Sequence, residues 1–418
     1  MTQAAPLNVL HVNDADLRGK NFNGYDLLVD LRRYGIRGKQ AVLNKLSDNP
    51  DVFSLCASDA DRRLHDAVWR VEIEHSMNDV LFPWGKVLAE SDEFQRADVV
   101  HFHLIHNQTV SLPDLATLCA AKPCVWTFHD SWPITGHCIQ PGACRRWLDG
   151  CEVCPDLNAG FVLKEDRANR MWRLKQGVFE NLEVDVIVAS EMMRENVRCS
   201  PITAHLEHVH LVPFGVDSSS FAGDGSVSAA REALGVPLDD YVIMCRSSPQ
   251  GLKGLPYLIE ALELGPPGRA TTLLTVDQPG LVVQLEPDYG IVELGWVDDS
   301  ELYRQAFTAC DVFVMPSTAE GFGLMALEAM ASARPVVCFE GTTLPWITHA
   351  PECGIAVPMG DARALRAALD ALAESPEDAQ RRGALGRVVT ETEFSHDAYL
   401  SGLADVYRGL AARRRATT

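Results

Sequence analysis

Short apolar runs alternate with amphipathic stretches along the chain. Residues 7–12 (LNVLHV) form the first apolar run, and a polar loop with separated glycines follows from 13 to 24. Residues 25–34 then carry helical spacing. Runs at 39–43, 98–104 (DVVHFHL), 123–128 (PCVWTF), 184–189 (VDVIVA) and 208–212 read as further strands, with helical patterns between them, notably 166–182. The pattern restarts with a buried strand at 241–245 (YVIMC) and a helix at 254–264. Strands at 271–276, 291–294, 311–315 and 335–339 follow, with helices at 299–308, 324–333 and 362–374. Strands alternating with helices predict parallel sheets covered on both faces.

The chain thus reads as α/β, with two doubly wound domains of similar size, 1–212 and 213–396. A Gly-, Ser- and Asp-rich linker is expected over 213–228. An amphipathic helix from 397 to the end, 397–418, is expected to pack back on the first domain. Two such domains facing each other would create an inter-domain cleft at the carboxyl ends of their strands, where open α/β sheets bind ligands.

Length and charge narrow the class. The 418 residues carry 37 basic and 57 acidic side chains, a net charge of −20, which argues against a nucleic-acid binder. No apolar run approaches a membrane span, and the first residues lack the basic region of a secretory signal. A cytoplasmic protein with mostly reduced thiols is expected, peripheral at most to a membrane.

The most telling segment is Pro316-Ser-Thr-Ala-Glu320-Gly-Phe-Gly323-Leu-Met-Ala-Leu-Glu328. A buried strand leads into a turn holding Glu320, and a helix starts after Gly323. Gly321 and Gly323 let backbone N–H groups approach an anion at that helix start, which suits a diphosphate and an adjacent sugar. Glu320 can accept hydrogen bonds from hydroxyls, and Glu328 lies far enough along the helix to reach a second hydroxyl-bearing group. The plain alternative is a capped helix with a solvated glutamate.

This segment resembles the E-x7-E signature of retaining GT-B glycosyltransferases, in particular family 4, of the bacterial exopolysaccharide, O-antigen and capsule type. Arg246 at the end of a strand and Lys253-Gly254 before a helix resemble the family's donor-phosphate pair. Residues 291–302 resemble its stretch near the nucleotide base. The resemblance spans nearly the whole chain and implies a GT-B fold of two Rossmann-like domains, acceptor side first and nucleotide-sugar side second. It implies a nucleotide-sugar donor, UDP-sugar before GDP-sugar, and a carbohydrate acceptor that is a glycan, lipid-linked or a small molecule. It assigns Glu320 to the donor sugar, Glu328 to the ribose, and Gly321, Phe322, Gly323 and Leu324 to the donor-binding turn. Arg246 and Lys253 would oppose charge growing on the leaving diphosphate. No cofactor is required for that chemistry.

In the first domain, Thr127-Phe128-His129-Asp130 ends a strand, and the resemblance makes His129 a sugar contact. His101 and His103 share one strand face by two-residue periodicity, a spacing that could ligate metal or simply pack. His106 and Asn107 lie past the strand end, towards acceptor. Ser190 resembles a family serine near the donor. The loop after the first strand departs from the family's paired glycines, which leaves Gly24 as its glycine contact. Asp14 and Asp16 have D-x-D spacing, which this fold does not need for a metal.

Cys138, Cys144, Cys151 and Cys154 place four thiols in a short segment, with His137 beside them. The Cys-x-x-Cys step fits a closed structural zinc site, with disulfides or free thiols as the alternatives. Arg18, Lys20, Arg32, Arg33, Arg37, Lys39 and Lys45 form a local basic excess. It suits an anionic membrane surface or a solvated helix face. Rival readings are a sugar-nucleotide epimerase of the same fold and a non-catalytic nucleotide-sugar-binding subunit.

Overall fold

A computed structural model describes residues 6–161, 163–221 and 226–417. The chain divides into two compact units, Met1–Pro213 with Tyr399–Thr418, and Phe214–Ala398.

Among the described residues, the first unit carries seven parallel strands. They are β1 (Leu7–Ala15), β2 (Ile36–Asn44), β3 (Val52–Ser54), β4 (Val99–Phe102), β5 (Cys124–Thr127), β6 (Asp185–Val188) and β7 (Val209–Leu211). Their order is β3-β2-β1-β4-β5-β6-β7. One face is apolar: Leu10, Val12, Val100, Phe102 and Trp126 enter a single core. Alternation sends His11, His101 and Thr127 to the other face. Register sets His11 beside both Gln40 and His101. The chain's last helix, His396–Thr417, returns to this unit from Tyr399 onward. Its Tyr407 hydroxyl lies 2.6 Å from His101 Nδ1, and Arg408 donates to the Tyr34 carbonyl at 2.8 Å.

The second unit has six parallel strands among its described residues: β8 (Tyr241–Ser247), β9 (Thr271–Asp277), β10 (Gly290–Glu293), β11 (Val312–Met315), β12 (Val336–Phe339) and β13 (Ile355–Val357). The order β10-β9-β8-β11-β12-β13 is the dinucleotide-fold order. Leu255, Leu258 and Leu262 of the helix Leu255–Leu262 pack with Ile243, Cys245 and Val314 in its core.

Several elements differ from expectation. The expected linker at 213–228 falls partly on 222–225, which lie outside the described residues. Its first part belongs to the second unit: Val216 N–H donates to the Phe394 carbonyl at 2.9 Å. The expected helix at 25–34 is a short α turn, Leu27–Asp30, followed by a 3-10 turn, Leu31–Tyr34. Two long helices bury few apolar side chains. Of the sixteen residues of Asp59–Glu74, Glu72 alone is buried. Pro376–Thr392 buries Gly383, Gly386 and Thr390.

Candidate functional site

In open parallel sheets, ligands are met at strand carboxyl ends where the strand order reverses. That point lies between β8 and β11 in the second unit, and between β1 and β4 in the first.

At the second unit's reversal point, Arg246 stands near the end of β8 and Glu320 in the loop after β11. Gly254 has φ +71°, and a Cβ there would lie 1.7 Å from the Pro316 carbonyl oxygen, so only glycine fits. Thr318 N–H donates to the Leu252 carbonyl at 2.9 Å. These contacts press the turn holding Lys253 onto the loop holding Glu320. Lys253 Nζ accordingly lies 2.6 Å from Glu320 Oε1, and the Ser317 hydroxyl donates to the same oxygen at 3.0 Å. Arg246 Nε donates to Asp277 Oδ2 at 2.8 Å. Asp277 ends β9 with φ 90°, a strained value for a residue with a side chain. Each cation of the expected phosphate pair is thus held by a carboxylate.

Gly323, at φ +119°, starts the helix Leu324–Ala331, and a Cβ there would meet Leu344 Cδ2 at 2.5 Å. Gly321 lies in the turn before it. Phe322 is 5% exposed and packs edge-on against Phe214 and Phe394, so what it offers a ligand is backbone, not its ring. Leu324 opens the helix, half-buried. Glu328 lies one turn further and accepts from the Tyr303 hydroxyl at 2.7 Å. Burial pushes the Glu328 carboxyl up to about 7, against the opposing pull of the Tyr303 hydrogen bond. Asp277, Ser317 and Tyr303 escaped the sequence reading. Tyr303 follows directly on the 291–302 stretch, and Asp277 stands opposite Ser247 in the β8–β9 register.

The first unit offers imidazoles instead. His129 Nε2 lies 3.2 Å from His103 Nδ1, and His103 Nε2 lies 3.1 Å from His11 Nδ1. His101 is held by Tyr407 and by the Thr127 hydroxyl at 2.7 Å. Burial drives His11 and His129 down to about 3, with Asp130 opposing it at His129. It also holds His101 and His103 well below the ordinary histidine value. His106 Nε2 lies 2.9 Å from Asp130 Oδ2, and its ring stacks on Trp132. Burial pushes Asp130 up, but the His106 contact and the Trp132 N–H outweigh it and hold the carboxyl low. Phe22, from the loop after β1, packs 5.3 Å from the His129 ring.

Other expected residues have structural duties. Gly24 has φ +102°, and a Cβ would fall 2.8 Å from His11 Cβ, so this glycine makes room for an imidazole. Ser190 is fully buried and caps the helix Glu191–Cys199 by accepting the Met193 N–H at 3.3 Å. Asp16 is fully buried and accepts the backbone N–H groups of Leu17, Leu46 and Ser47, while Asp14 accepts from Asn107. The basic residues do not make one patch. Arg32, Arg33, Arg37 and Lys39 line a cavity of about 860 Å³ at the amino ends of β1 and β2, where Asp51 pairs with Arg32 and Lys39. Arg18, Lys20 and Lys45 follow the carboxyl ends of the same strands.

All four cysteines of the expected zinc set are free, half-buried thiols. Burial first, then the neighbouring Cys154, Cys151 and Cys144, push Cys138 up to about 12. His137 Nε2 lies 3.1 Å from Cys154 Sγ. Yet among the described residues, the group of three metal-competent side chains whose ligand atoms lie within 4.8 Å of one another is His11, His101 and His103, not the thiols. Among the described residues, no helix is long and apolar enough to cross a membrane.

Known proteins resemble this chain. Residues 240–375 match the family model described as Glycosyl transferases group 1. The MMP alpha-(1->4)-mannosyltransferase of Mycolicibacterium hassiacum is 30% identical over 330 residues, covering 76% of this chain and 71% of that protein. The putative colanic acid biosynthesis glycosyl transferase WcaC of Escherichia coli K12 is 23% identical over 254 residues, 57% of this chain. That match spans 59% of WcaC, so the chain covers about three-fifths of this relative's length. The structure of Anabaena Alr3699/HepE in complex with UDP-glucose aligns over 96% of this chain and 100% of that one, with a TM-score of 0.64 at 16% identity.

Two doubly wound, all-parallel units with these strand orders define a GT-B fold. The chain belongs to the group 1 glycosyl transferases, and it resembles those of bacterial polysaccharide biosynthesis.

Proposed function

We propose that the protein is a retaining family 4 glycosyltransferase. It moves a sugar from a nucleotide-sugar, UDP-sugar before GDP-sugar, to a hydroxyl of a glycan, lipid-linked or small-molecule acceptor. The observation that carries this reading is the Lys253–Glu320 pair, pinned by Gly254 against Pro316 beside Arg246 at the strand-order reversal. The relatives named above are glycosyltransferases, and HepE's structure holds UDP-glucose, which supports the donor class.

In this reading the donor diphosphate draws Lys253 from Glu320 and shares Arg246 with Asp277. The two cations then oppose the charge that grows on the β-phosphate as the glycosidic bond breaks. The freed Glu320 carboxylate accepts from donor-sugar hydroxyls. Glu328 accepts from the ribose, with Tyr303 steadying its second oxygen. Backbone N–H groups of Gly321, Phe322, Gly323 and Leu324 meet the phosphates at the helix start. His129 touches the donor sugar. The acceptor hydroxyl attacks on the face from which the diphosphate leaves, and the leaving phosphate takes its proton, so the α configuration is kept.

The test is slow donor hydrolysis with a panel of UDP- and GDP-sugars, followed by acceptor glycans. Release of nucleoside diphosphate that depends on Glu320 supports the reading. Its absence with every donor, alongside tight nucleotide-sugar binding, would leave a binding subunit.

A further inference from the structure

Arg246 and its partner Asp277 stand on neighbouring strands, at the carboxyl ends of β8 and β9. The parallel register pairs Arg246 with Val276 and Ser247 with Asp277. In an unbroken strand, alternation would send Asp277 to the face of Ser247, away from Arg246. Asp277 does not keep strand geometry. Its φ of 90° is left-handed, a costly conformation for a residue with a side chain. Two hydrogen bonds hold the backbone there. Asp277 N–H donates to the Gly295 carbonyl at 2.8 Å, and Gln278 N–H donates to the Ser247 carbonyl at 2.9 Å. The kink breaks the alternation, and Asp277 Oδ2 accepts Arg246 Nε–H at 2.8 Å. Strain of this kind persists where the surroundings over-determine it, and it collects at functional sites.

A guanidinium is a planar fork of five N–H groups. A carboxylate bound across both terminal nitrogens would consume the edge that matches a phosphate. Asp277 takes Nε instead, and among the described residues Nη1 and Nη2 of Arg246 make no hydrogen bond. Holding Nε fixes the plane of the fork and the direction of its far edge. The pair is partly exposed, 34% at Arg246 and 20% at Asp277, so a ligand can reach it. The Arg246 charge also acts on Tyr303, whose hydroxyl meets Glu328. The groups expected at the donor's phosphates and at its ribose thus share one electrostatic neighbourhood.

We propose that Asp277 is a positioning residue for transfer. Its strained backbone sets a carboxylate on Arg246 Nε, and the guanidinium then presents its two terminal nitrogens to the donor diphosphate. This aim counts most as the glycosidic bond breaks, when charge grows on the leaving phosphate. The carboxylate also offsets the Arg246 charge, which limits how tightly the site holds the departing nucleoside diphosphate. The proposal rests on the reading of Arg246 as a diphosphate contact.

Variants of the full chain separate the two duties of the carboxylate. Asp277→Asn keeps an acceptor for Nε–H and removes the charge. Asp277→Gly removes both and relieves the positive φ. Turnover is read as nucleoside diphosphate release from the panel of UDP- and GDP-sugars, and folding by calorimetric scans. Asp277→Gly should lower kcat about ten- to a hundredfold, the loss of one hydrogen bond between charged groups. Donor KM should not rise, and the second unit's melting temperature should not fall. Asp277→Asn should restore most of that kcat and lower donor KM, because Arg246 keeps its aim and gains net charge. Added to Arg246→Ala, Asp277→Gly should lower single-turnover rates no further, since it acts through Arg246. Wild-type kcat in Asp277→Gly overturns the proposal. So does an Asn variant as slow as the Gly variant, a melting temperature that falls with kcat, or a further loss in the double variant. Wild-type kcat in Arg246→Ala, or a wild type that turns over none of these sugars, overturns the diphosphate reading and this proposal with it. A slow Arg246→Ala beside a silent Asp277→Gly overturns this proposal alone.

Discussion

The two units place opposite chemistry at equivalent points of similar sheets. At its reversal point the second unit has charged pairs, Lys253 with Glu320 on turns and Arg246 with Asp277 at strand ends, partly open to solvent. The first has buried imidazoles on and just past its strands, His101 among them held by Tyr407 of the chain's last helix. Paired charges that are partly open to solvent can exchange partners when a diphosphate arrives. Buried neutral rings cannot take up charge cheaply, but they hold geometry. One unit is thus built to trade ion pairs, the other to fix a hydrogen-bonding pattern.

The largest expected effect tests the exchange. Glu320→Gln should cost transfer by about 10²–10³-fold with little change in melting temperature, since the carboxamide still accepts from Lys253 and Ser317. Arg246→Ala and Lys253→Ala should each lower kcat by a similar factor of about 10²–10³. Lys253→Arg should rescue only in part, because a planar fork cannot replace a point charge. Steady-state kinetics with the best donor decides. Near-wild-type turnover in the Lys253→Ala, Arg246→Ala double variant would remove the diphosphate clamp.

The next effect is on folding. Gly254→Ala puts a methyl group 1.7 Å from a carbonyl oxygen at positive φ. A loss of about 3 kcal/mol or more is expected, confined to the second unit. Gly24→Ala meets the His11 side chain at 2.8 Å and should cost less. Calorimetric scans that showed the reverse order would undo the contrast between a rigid backbone contact and a movable ring.

The second unit's chemistry was legible because local sequence writes it. Glycines directly follow Lys253 and Glu320, and one strand-turn-helix holds Glu320, Gly323 and Glu328. The partners Asp277 and Tyr303 were not legible, because register and a helix face bring them in. In the first unit the pairing of His101 with His103 followed from alternation. His11 lies some ninety residues away, and only the parallel pairing of β1 with β4 places it there. The polar helices Asp59–Glu74 and Pro376–Thr392 escaped for a different reason. They bury few apolar side chains, and the second packs through Gly383, where a Cβ would lie 2.0 Å from the Ala333 carbonyl oxygen.

A smaller effect separates the units by pH. In the first, folded imidazoles titrate far below the unfolded value of 6.5, so between those values the unfolded state binds more protons. The first unit should lose stability as pH falls through 6.5, by up to about 1.4 kcal/mol per pH unit for each ring. In the second, Glu328 is raised from 4.5 to about 7, so the folded state binds the extra proton between those values. Its contribution should be fully present below 4.5 and fade as pH rises towards 7, by about 1–3 kcal/mol in all. Scans at pH 5 and 7 should move the two transitions in opposite directions. Glu328→Gln should flatten the second unit's shift and leave the first unit's intact. Ribose hydroxyls donate to an ionised Glu328, so nucleoside diphosphate should bind more tightly at pH 8 than at pH 6, a difference that Glu328→Gln should erase.

The smallest effect on transfer concerns the thiols. Cys138, Cys144, Cys151 and Cys154 gather near His137, but a tetrahedral zinc would have to draw the loop closer than it stands here. Deprotonating thiols that burial holds protonated costs free energy, and a divalent ion can offset it. The proposal is one structural zinc per chain, closed to substrate. Cys151→Ser should then lower the metal content and loosen the segment between Cys138 and Gly160. Donor hydrolysis should largely survive, since the cation pairs lie in the other unit, while transfer to acceptor falls more. Elemental analysis of protein purified without added metal checks the premise, with thiol titration in the native state beside it. Zinc well below one per chain with four titratable thiols would remove the site. Zinc that persists in Cys151→Ser but vanishes in His103→Leu would move the metal to the imidazoles of the first unit.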